Sequence, residues 1–310
     1  MQRLLTTVVL VGLLVATAAA FAVTERLKLT KSPVYGTLVT PKLGFSPTCG
    51  CARGKATIRV KLRRSDDVTV SVLNRHRQVV RELASLRASR GVNVFRWDGR
   101  TDANVIAPDG LYKAEIRLAG QHQTIVLPNT IQLDTKPPAV VSVTLNRDTF
   151  SPDGDLQADF VRIDYELSKS AHAMLYLNDT RVLRTYRRPA HGSFSWFGNV
   201  DGKVLAPGWY TLHLGAVDAA GNSTPVKDRW RIHVRVRYIA LASRHIVARA
   251  GERFSIGVST DAKQYTWKLG RRKSVATGPL LRLLASTRRG RYTLTVAERG
   301  HVARATVIVR

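Results

Sequence analysis

The sequence predicts an all-β chain of tandem β-sandwiches preceded by one N-terminal hydrophobic helix. Three observations predict it. Short Val/Ile/Leu/Tyr runs alternate with period two and are broken by Gly, Pro, Asn and Asp throughout the chain after residue 30. One aromatic-and-turn pattern occurs twice, first as Trp97-Asp98-Gly99-Arg100 with Pro108-Asp109-Gly110-Leu111-Tyr112. Its degenerate copy is Trp196-Phe197-Gly198 with Ala206-Pro207-Gly208-Trp209-Tyr210. Ahead of all this, Leu4 to Val23 runs for 20 residues without a charge.

That first run is long enough to span a bilayer as a helix. Its continuation into Thr24-Glu25-Arg26-Leu27-Lys28-Leu29 favours a retained single-pass membrane anchor at residues 1–30, with the remainder extracytoplasmic. Arg26, Lys28 and Lys31 on the outer side count against that orientation. The small residues Ala18-Ala19-Ala20 and Ala20-Phe21-Ala22 leave secretion after signal cleavage as the alternative.

Residues 31–136 form the first predicted sandwich, with strands at 56–62, 68–73, 78–83, 91–97, 111–118, 124–128 and 130–133. An irregular entry segment precedes them. Asp134-Thr135-Lys136-Pro137-Pro138 reads as a semi-rigid linker. Residues 137–237 repeat the order. Phe150-Ser151-Pro152 echoes Phe45-Ser46-Pro47 at a spacing of 105, and Ile163 to Leu167 echoes Ile58 to Leu62 at the same spacing. Trp196 follows Trp97 by 99, which places a six-residue deletion in the middle hairpin, where sandwiches tolerate it. Residues 238–310 predict a smaller third sandwich, with Trp267 as a core candidate and Tyr292 in a Gly-x-Tyr-x-Leu-x-Val strand. It lacks the Phe-Ser-Pro signature and does not read as a clean third copy.

The repeated residues resemble the Ig-like domain of the flagellar hook-capping protein FlgD and of secreted Vpr-type proteases. Val80-Arg81-Glu82-Leu83, Trp97-Asp98-Gly99-Arg100 and Pro108-Asp109-Gly110-Leu111-Tyr112 carry the resemblance. Residues 45–235 share it in weaker form. The resemblance implies tandem Ig-like sandwiches and an exported, scaffold-like role. A hook cap is not implied, because the helical segment specific to that protein is missing from the sequence.

The formal charge is +27, from 49 Lys and Arg against 22 Asp and Glu. The basic residues are scattered over every segment, so they read as solvent faces of strands, and no specific nucleic-acid module is present. Protein or an anionic envelope polymer is the expected partner class, with the membrane contacted through the N-terminal helix. None of the eight histidines stands at a metal or catalytic spacing, and no nucleophile elbow, P-loop or dinucleotide fingerprint occurs. Catalytic residues and cofactors are therefore expected to be none, and the chain a non-enzymatic structural, adhesive or scaffold protein of the cell envelope. An accessory binding module or a polyanion- or carbohydrate-binding protein is the alternative.

Two polar features remain. Asp153, Asp155 and Asp159 surround Gly154 in Phe150-Ser151-Pro152-Asp153-Gly154-Asp155. Related modules carry Phe-Ser-Pro-Asn-Gly-Asp here. The spacing reads first as an Asx-rich turn and second as a calcium loop. Cys49 and Cys51 are the only cysteines, and their spacing predicts a local disulfide in an exported chain. Trp97, Asp98, Gly99, Tyr112, Trp196 and Tyr210 read as structural corners, with Asp98 shaping its turn.

Overall fold

The computed structural model describes the backbone of residues 2–29 and 31–310, and the side chains of residues 7–22, 24 and 31–310. The first helix, α1 (Gln2–Leu29), exposes every described side chain from Thr7 to Ala22. Thr17 and Thr24 turn their hydroxyls back onto the carbonyls of Leu13 and Ala20. The transmembrane anchor expected from the apolar run is not upheld. Among the described residues no helix is long and apolar enough to cross a membrane. Both ends of the expected span, Leu4 and Val23, fall outside the described side chains.

The chain divides into two compact units, 1–135 and 136–310. The first holds one sandwich. Its strands are β1 (Val34–Thr40), β2 (Ala56–Leu62), β3 (Asp66–Leu73), β4 (Val79–Ala88), β5 (Gly91–Trp97), β6 (Gly110–Leu118) and β7 (Gln123–Leu133). The sheets run β1-β2-β5 and β4-β3-β6-β7. The entry segment thus contributes a strand, because Val34 and Val39 alternate onto the core and pair with β2. The two final runs are one strand with a register shift opposite Lys113 and Glu115. Phe45 adds an isolated parallel bridge to Leu133.

The second unit contains two sandwiches. The first of these has β8 (Val140–Leu145), β9 (Thr149–Phe150), β10 (Val161–Leu167), β11 (Ala171–Leu177), β12 (Thr180–Arg184), β13 (His191–Trp196), the small ribbon β14 (Asn199–Val200) and β15 (Lys203–Val204), β16 (Gly208–Asp218) and β17 (Trp230–Val236). Its sheets are β13-β10-β8 and β12-β11-β16-β17-β9, the last contact being parallel. The shortened hairpin is β12, half as long as β4, its counterpart. Asp218 folds the following turn by accepting from the amides of Gly221 and Asn222, and it pairs with Lys169 at 2.7 Å.

The last sandwich has β18 (Ala240–Leu241), β19 (His245–Ala248), β20 (Arg253–Ser259), β21 (Tyr265–Leu269), β22 (Arg272–Ala276), β23 (Leu280–Leu284), β24 (Gly290–Glu298) and β25 (His301–Val309). The sheets are β18-β20-β23 and β19-β25-β24-β21-β22, with β19 parallel to β25. Strand for strand this is the order of the preceding sandwich. The third segment is therefore a topological copy, contrary to the expectation from its missing Phe-Ser-Pro. Strand order is set by alternation and turns, which survive the loss of the aromatic corner. Trp267 is only half-buried, and Tyr265 fills the core position two residues earlier.

The corners explain why two copies are legible. Trp97 is fully buried, touches Phe45 and Tyr112 edge-on at 5.4 and 4.8 Å, and donates Nε1–H to Arg100 O at 2.8 Å. Trp196 packs on Phe150 at 5.7 Å and donates to Asn199 O at 3.2 Å. Gly99 at φ 77° and Gly198 at φ 66° both lie under the Phe-Ser-Pro segment of their own sandwich. Tyr112, Tyr210 and Tyr292 each donate a hydroxyl to the carbonyl four residues back, at Pro108, Ala206 and Arg288. The third sandwich keeps this one element of the corner.

Candidate metal centre at the junction of the second and third sandwiches

The loop after β9 is built by its own carboxylates. Asp159 Oδ1 and Oδ2 accept from the amides of Gly154 and Leu156, at 2.7 and 2.8 Å. Asp155 Oδ1 accepts from Gln157 N at 2.6 Å, and Asp153 Oδ1 from Asp155 N at 3.3 Å. Ser151 Oγ donates to Asp153 Oδ2 at 3.3 Å. Gly154 takes φ 78°, which favours glycine. Asp159 thus serves as the internal brace of the turn, with both oxygens facing amide donors.

The third sandwich delivers its residues by a tight hairpin. Arg299 and Gly300 both have positive φ, 41° and 85°, which is the two-residue turn matching strand twist. The hairpin places Glu298, at the end of β24, opposite His301. One ligand oxygen from each of Asp153, Asp155 and Glu298 lies within 4.8 Å of the others. Glu298 is 8% exposed, and its Oε2 has no hydrogen-bond partner. Asp261, in the loop between β20 and β21, buries both carboxylate oxygens, and neither has a partner with hydrogen-bond geometry. An open cleft of about 490 Å³, lined in part by Asp155, Gln157, Tyr265 and Glu298, leads to the group.

The electrostatics follow from burial among like charges. Burial pushes the Glu298 carboxyl up to about 7, and the charge of Asp153, a side-chain hydrogen bond with Asp153, and the charges of Asp155 and Asp261 add to it. Burial pushes Asp261 up to about 6, again helped by Asp155 and Asp153 and partly offset by backbone and Ser151 groups.

The backbone crosses this junction without a linker. Tyr238 is buried in the core of the second sandwich, and Ile239 in the core of the third. Tyr238 donates to Leu205 O at 3.0 Å, and its ring stacks on His301 at 3.5 Å with an interplanar angle of 6°. Burial and the charge of Asp153 both raise the Tyr238 hydroxyl.

Of the sequence-predicted residues, the structure brings Asp153 and Asp155 together and turns Asp159 into the loop. Glu298 and Asp261 escaped sequence reasoning, because they lie more than a hundred residues downstream in no motif. The matching loop of the first sandwich has no acids. There Cys49 and Cys51 are bonded, with Cα atoms 5.2 Å apart. Asp98 Oδ1 accepts from Arg100 N at 3.1 Å. In the second corner Phe197 stands in that place and packs on Phe160 at 5.2 Å. Asp164 and Glu166, on one face of β10, pair with Arg162 and His191.

Strand order and corners define the chain as an all-β protein of tandem Ig-like sandwiches behind one N-terminal helix. Residues 46–121 match the family model of the FlgD Ig-like domain, so the first sandwich is of FlgD type. Among curated proteins none matches. Solved structures similar to the chain include the titin I-band fragment I67–I69, at 11% identity and TM-score 0.32, over 90% of this chain and 99% of that one. A fragment of a 1.5-MDa bacterial ice-binding adhesin is similar at 11% identity and TM-score 0.30, over 90% and 99%. FlgD from P. aeruginosa is similar at 20% identity and TM-score 0.24, over 45% and 89%. The fold assignment rests on the strand order above rather than on these likenesses.

Proposed function

We propose that the chain is an exported, non-enzymatic scaffold of the cell envelope whose Ig-like sandwiches hold and space a binding surface. The observation that carries this reading is the junction at Tyr238 and Ile239. Consecutive residues sit in two different cores, so the second and third sandwiches are held without a flexible connection. A spacer needs such stiffness, and domains joined by long linkers lack it. Export is supported by the bonded Cys49 and Cys51, since disulfides persist in oxidising compartments, and by the apolar helix ahead of the folded part. Two histidines bond within the framework. His172 Nδ1 bonds Thr185 O at 2.8 Å, and burial lowers its basicity. His233 bonds Thr211 at 3.2 Å.

The test is expression of the full chain in a bacterial host, followed by protease and thiol-reagent treatment of spheroplasts. Cys49 and Cys51 found oxidised and the sandwiches found protease-accessible support export. Reduced cysteines in a protected cytoplasmic pool overturn it.

The charge favours a second reading, in which the surface held is a binding face for an anionic envelope polymer. Arg59 on β2 and Arg96 on β5 are both exposed on one sheet of the first sandwich. Binding to a polyphosphate-type polymer that weakens steeply with salt supports it, and salt-independent or absent binding rejects it.

A further inference from the structure

We propose that Asp153, Asp155 and Glu298 hold one calcium ion, with Asp261 adding a fourth negative charge, so that the ion ties the second sandwich to the third. Two observations lead there. The ligand oxygens of the three residues lie within 4.8 Å of one another, which is about twice a calcium–oxygen distance of about 2.4 Å. A single ion between them would reach all three with small side-chain adjustments. Glu298, which gives one oxygen to this group, is more than nine-tenths buried, and its Oε2 has no hydrogen-bond partner. A buried carboxylate left in that state is costly unless a cation or a proton meets it.

The chemistry of the donors selects the ion. All are carboxylate oxygens, which suit hard cations, and thiolate or imidazole ligands are not among them. A magnesium ion takes oxygens at about 2.0–2.1 Å in a strict octahedron. The looser set, on two separate sandwiches, fits calcium better. Asp159 stands outside the group of oxygens that lie within 4.8 Å of one another, and it braces the loop amides of Gly154 and Leu156 beside Asp153 and Asp155. The ligands come from both sides of the Tyr238–Ile239 junction. Binding therefore couples directly to the fixed placement of the two sandwiches. The site stands independently of the export reading, because purified protein binds calcium or fails to do so wherever the cell places it. An exported location would match the affinity of extracellular calcium modules, for which Kd is about 10⁻⁴–10⁻³ M.

The test is titration of the metal-free full chain with CaCl₂, and separately with MgCl₂, by isothermal calorimetry, together with thermal melts. One calcium per chain is expected, and calcium raises the melting temperature of the second unit. Glu298→Gln and Asp155→Asn each weaken calcium binding by roughly tenfold or more. Asp164→Asn, at a half-buried residue of β10 that pairs with Arg162, leaves it unchanged. The melts supply a signature that a merely structural role does not give. Without metal, at pH 8.5, Glu298→Gln melts at a higher temperature than the parent, because it removes a charge buried among like charges. With calcium the order reverses. No calcium binding well above the stated range overturns the proposal, as does undiminished binding in both site variants or tighter binding of magnesium than of calcium. Should Glu298→Gln not fold, Asp155→Asn decides the ligand set.

Discussion

Replacing Gly99 with alanine tests the corner at its tightest point. A Cβ there would lie 2.8 Å from Leu133 Cδ1, 3.1 Å from Pro47 Cγ and 3.2 Å from Phe45 Cε2. Leu133 and Phe45 are each 1% exposed, so neither has free space to retreat into. The backbone adds a second cost, because φ is 77° and the left-handed region disfavours a Cβ by about 1–2 kcal/mol. Overpacking of a filled core costs about 1–3 kcal/mol. The sum is about 2–5 kcal/mol, a large part of the stability of a domain this size. Gly91 separates the two terms. It takes φ 100° at the start of β5, and a Cβ there meets nothing within 4 Å. Gly91→Ala should therefore lose only the backbone part. Hydrogen-exchange mass spectrometry of peptides spanning β5 and β6 reads the opening energy of this sandwich without assuming that the whole chain unfolds in one step. Equal losses for Gly99→Ala and Gly91→Ala, within about 0.5 kcal/mol, would falsify the claim that the Phe-Ser-Pro segment is packed onto Gly99.

Other outcomes follow from the same structure. Asp66 is buried, accepts from Gly120 N at 2.7 Å and Gln121 Nε2 at 3.0 Å, and the Gln121 bond above all holds its carboxyl below the usual range. Its folded pKa is lower than its unfolded one, so its contribution is present at neutral pH and is lost as pH falls through the folded value. Asp66→Asn should cost about 1–3 kcal/mol at pH 7 and flatten the acid limb of the stability curve, read by denaturant titration at several pH values. An unchanged acid limb would remove Asp66 from the explanation. The Cys49→Ser, Cys51→Ser double variant should lose only about 1–2 kcal/mol in the same titration, because the closed loop is so short. A loss beyond about 4 kcal/mol would mean that the bond holds more than its own loop. Tyr238→Ala should uncouple the melting of the second and third sandwiches in calorimetry, since it removes the ring stacked on His301 and the bond to Leu205. A single unchanged transition would count against Tyr238 as the junction anchor.

Much of this fold was written in the sequence because the residues of the corner touch one another. Phe45, Trp97, Gly99 and Tyr112 meet in one cluster, and Phe150, Trp196, Gly198 and Tyr210 mark the second corner. The third sandwich hides its kinship because Leu281, Leu283 and Ile256 fill its core instead, while alternation and turns impose the same strand order. β1 escaped detection because Pro33, Gly36 and Pro41 punctuate it like a loop, and a bulge between Tyr35 and Leu38 breaks its alternation. The acidic site was half legible. Asp153 and Asp155 stand close in sequence, but a spacing rule cannot see which way a carboxylate turns, and Asp159 turns both oxygens onto the loop amides. Glu298 and Asp261 reach the site only through the fold of another sandwich, and no local pattern marks them.

The fixed, calcium-tied junction meets its most direct test in a distance measurement across it. Spin labels at Arg181→Cys on β12 and Lys273→Cys on β22, both exposed, report the placement of the second sandwich against the third. Double electron–electron resonance on the full chain, with Cys49 and Cys51 kept oxidised, should give one narrow distance in calcium and a broader distribution after chelation. A narrow distribution unchanged by chelation would contradict the calcium tie, and a broad distribution in calcium would contradict the fixed junction.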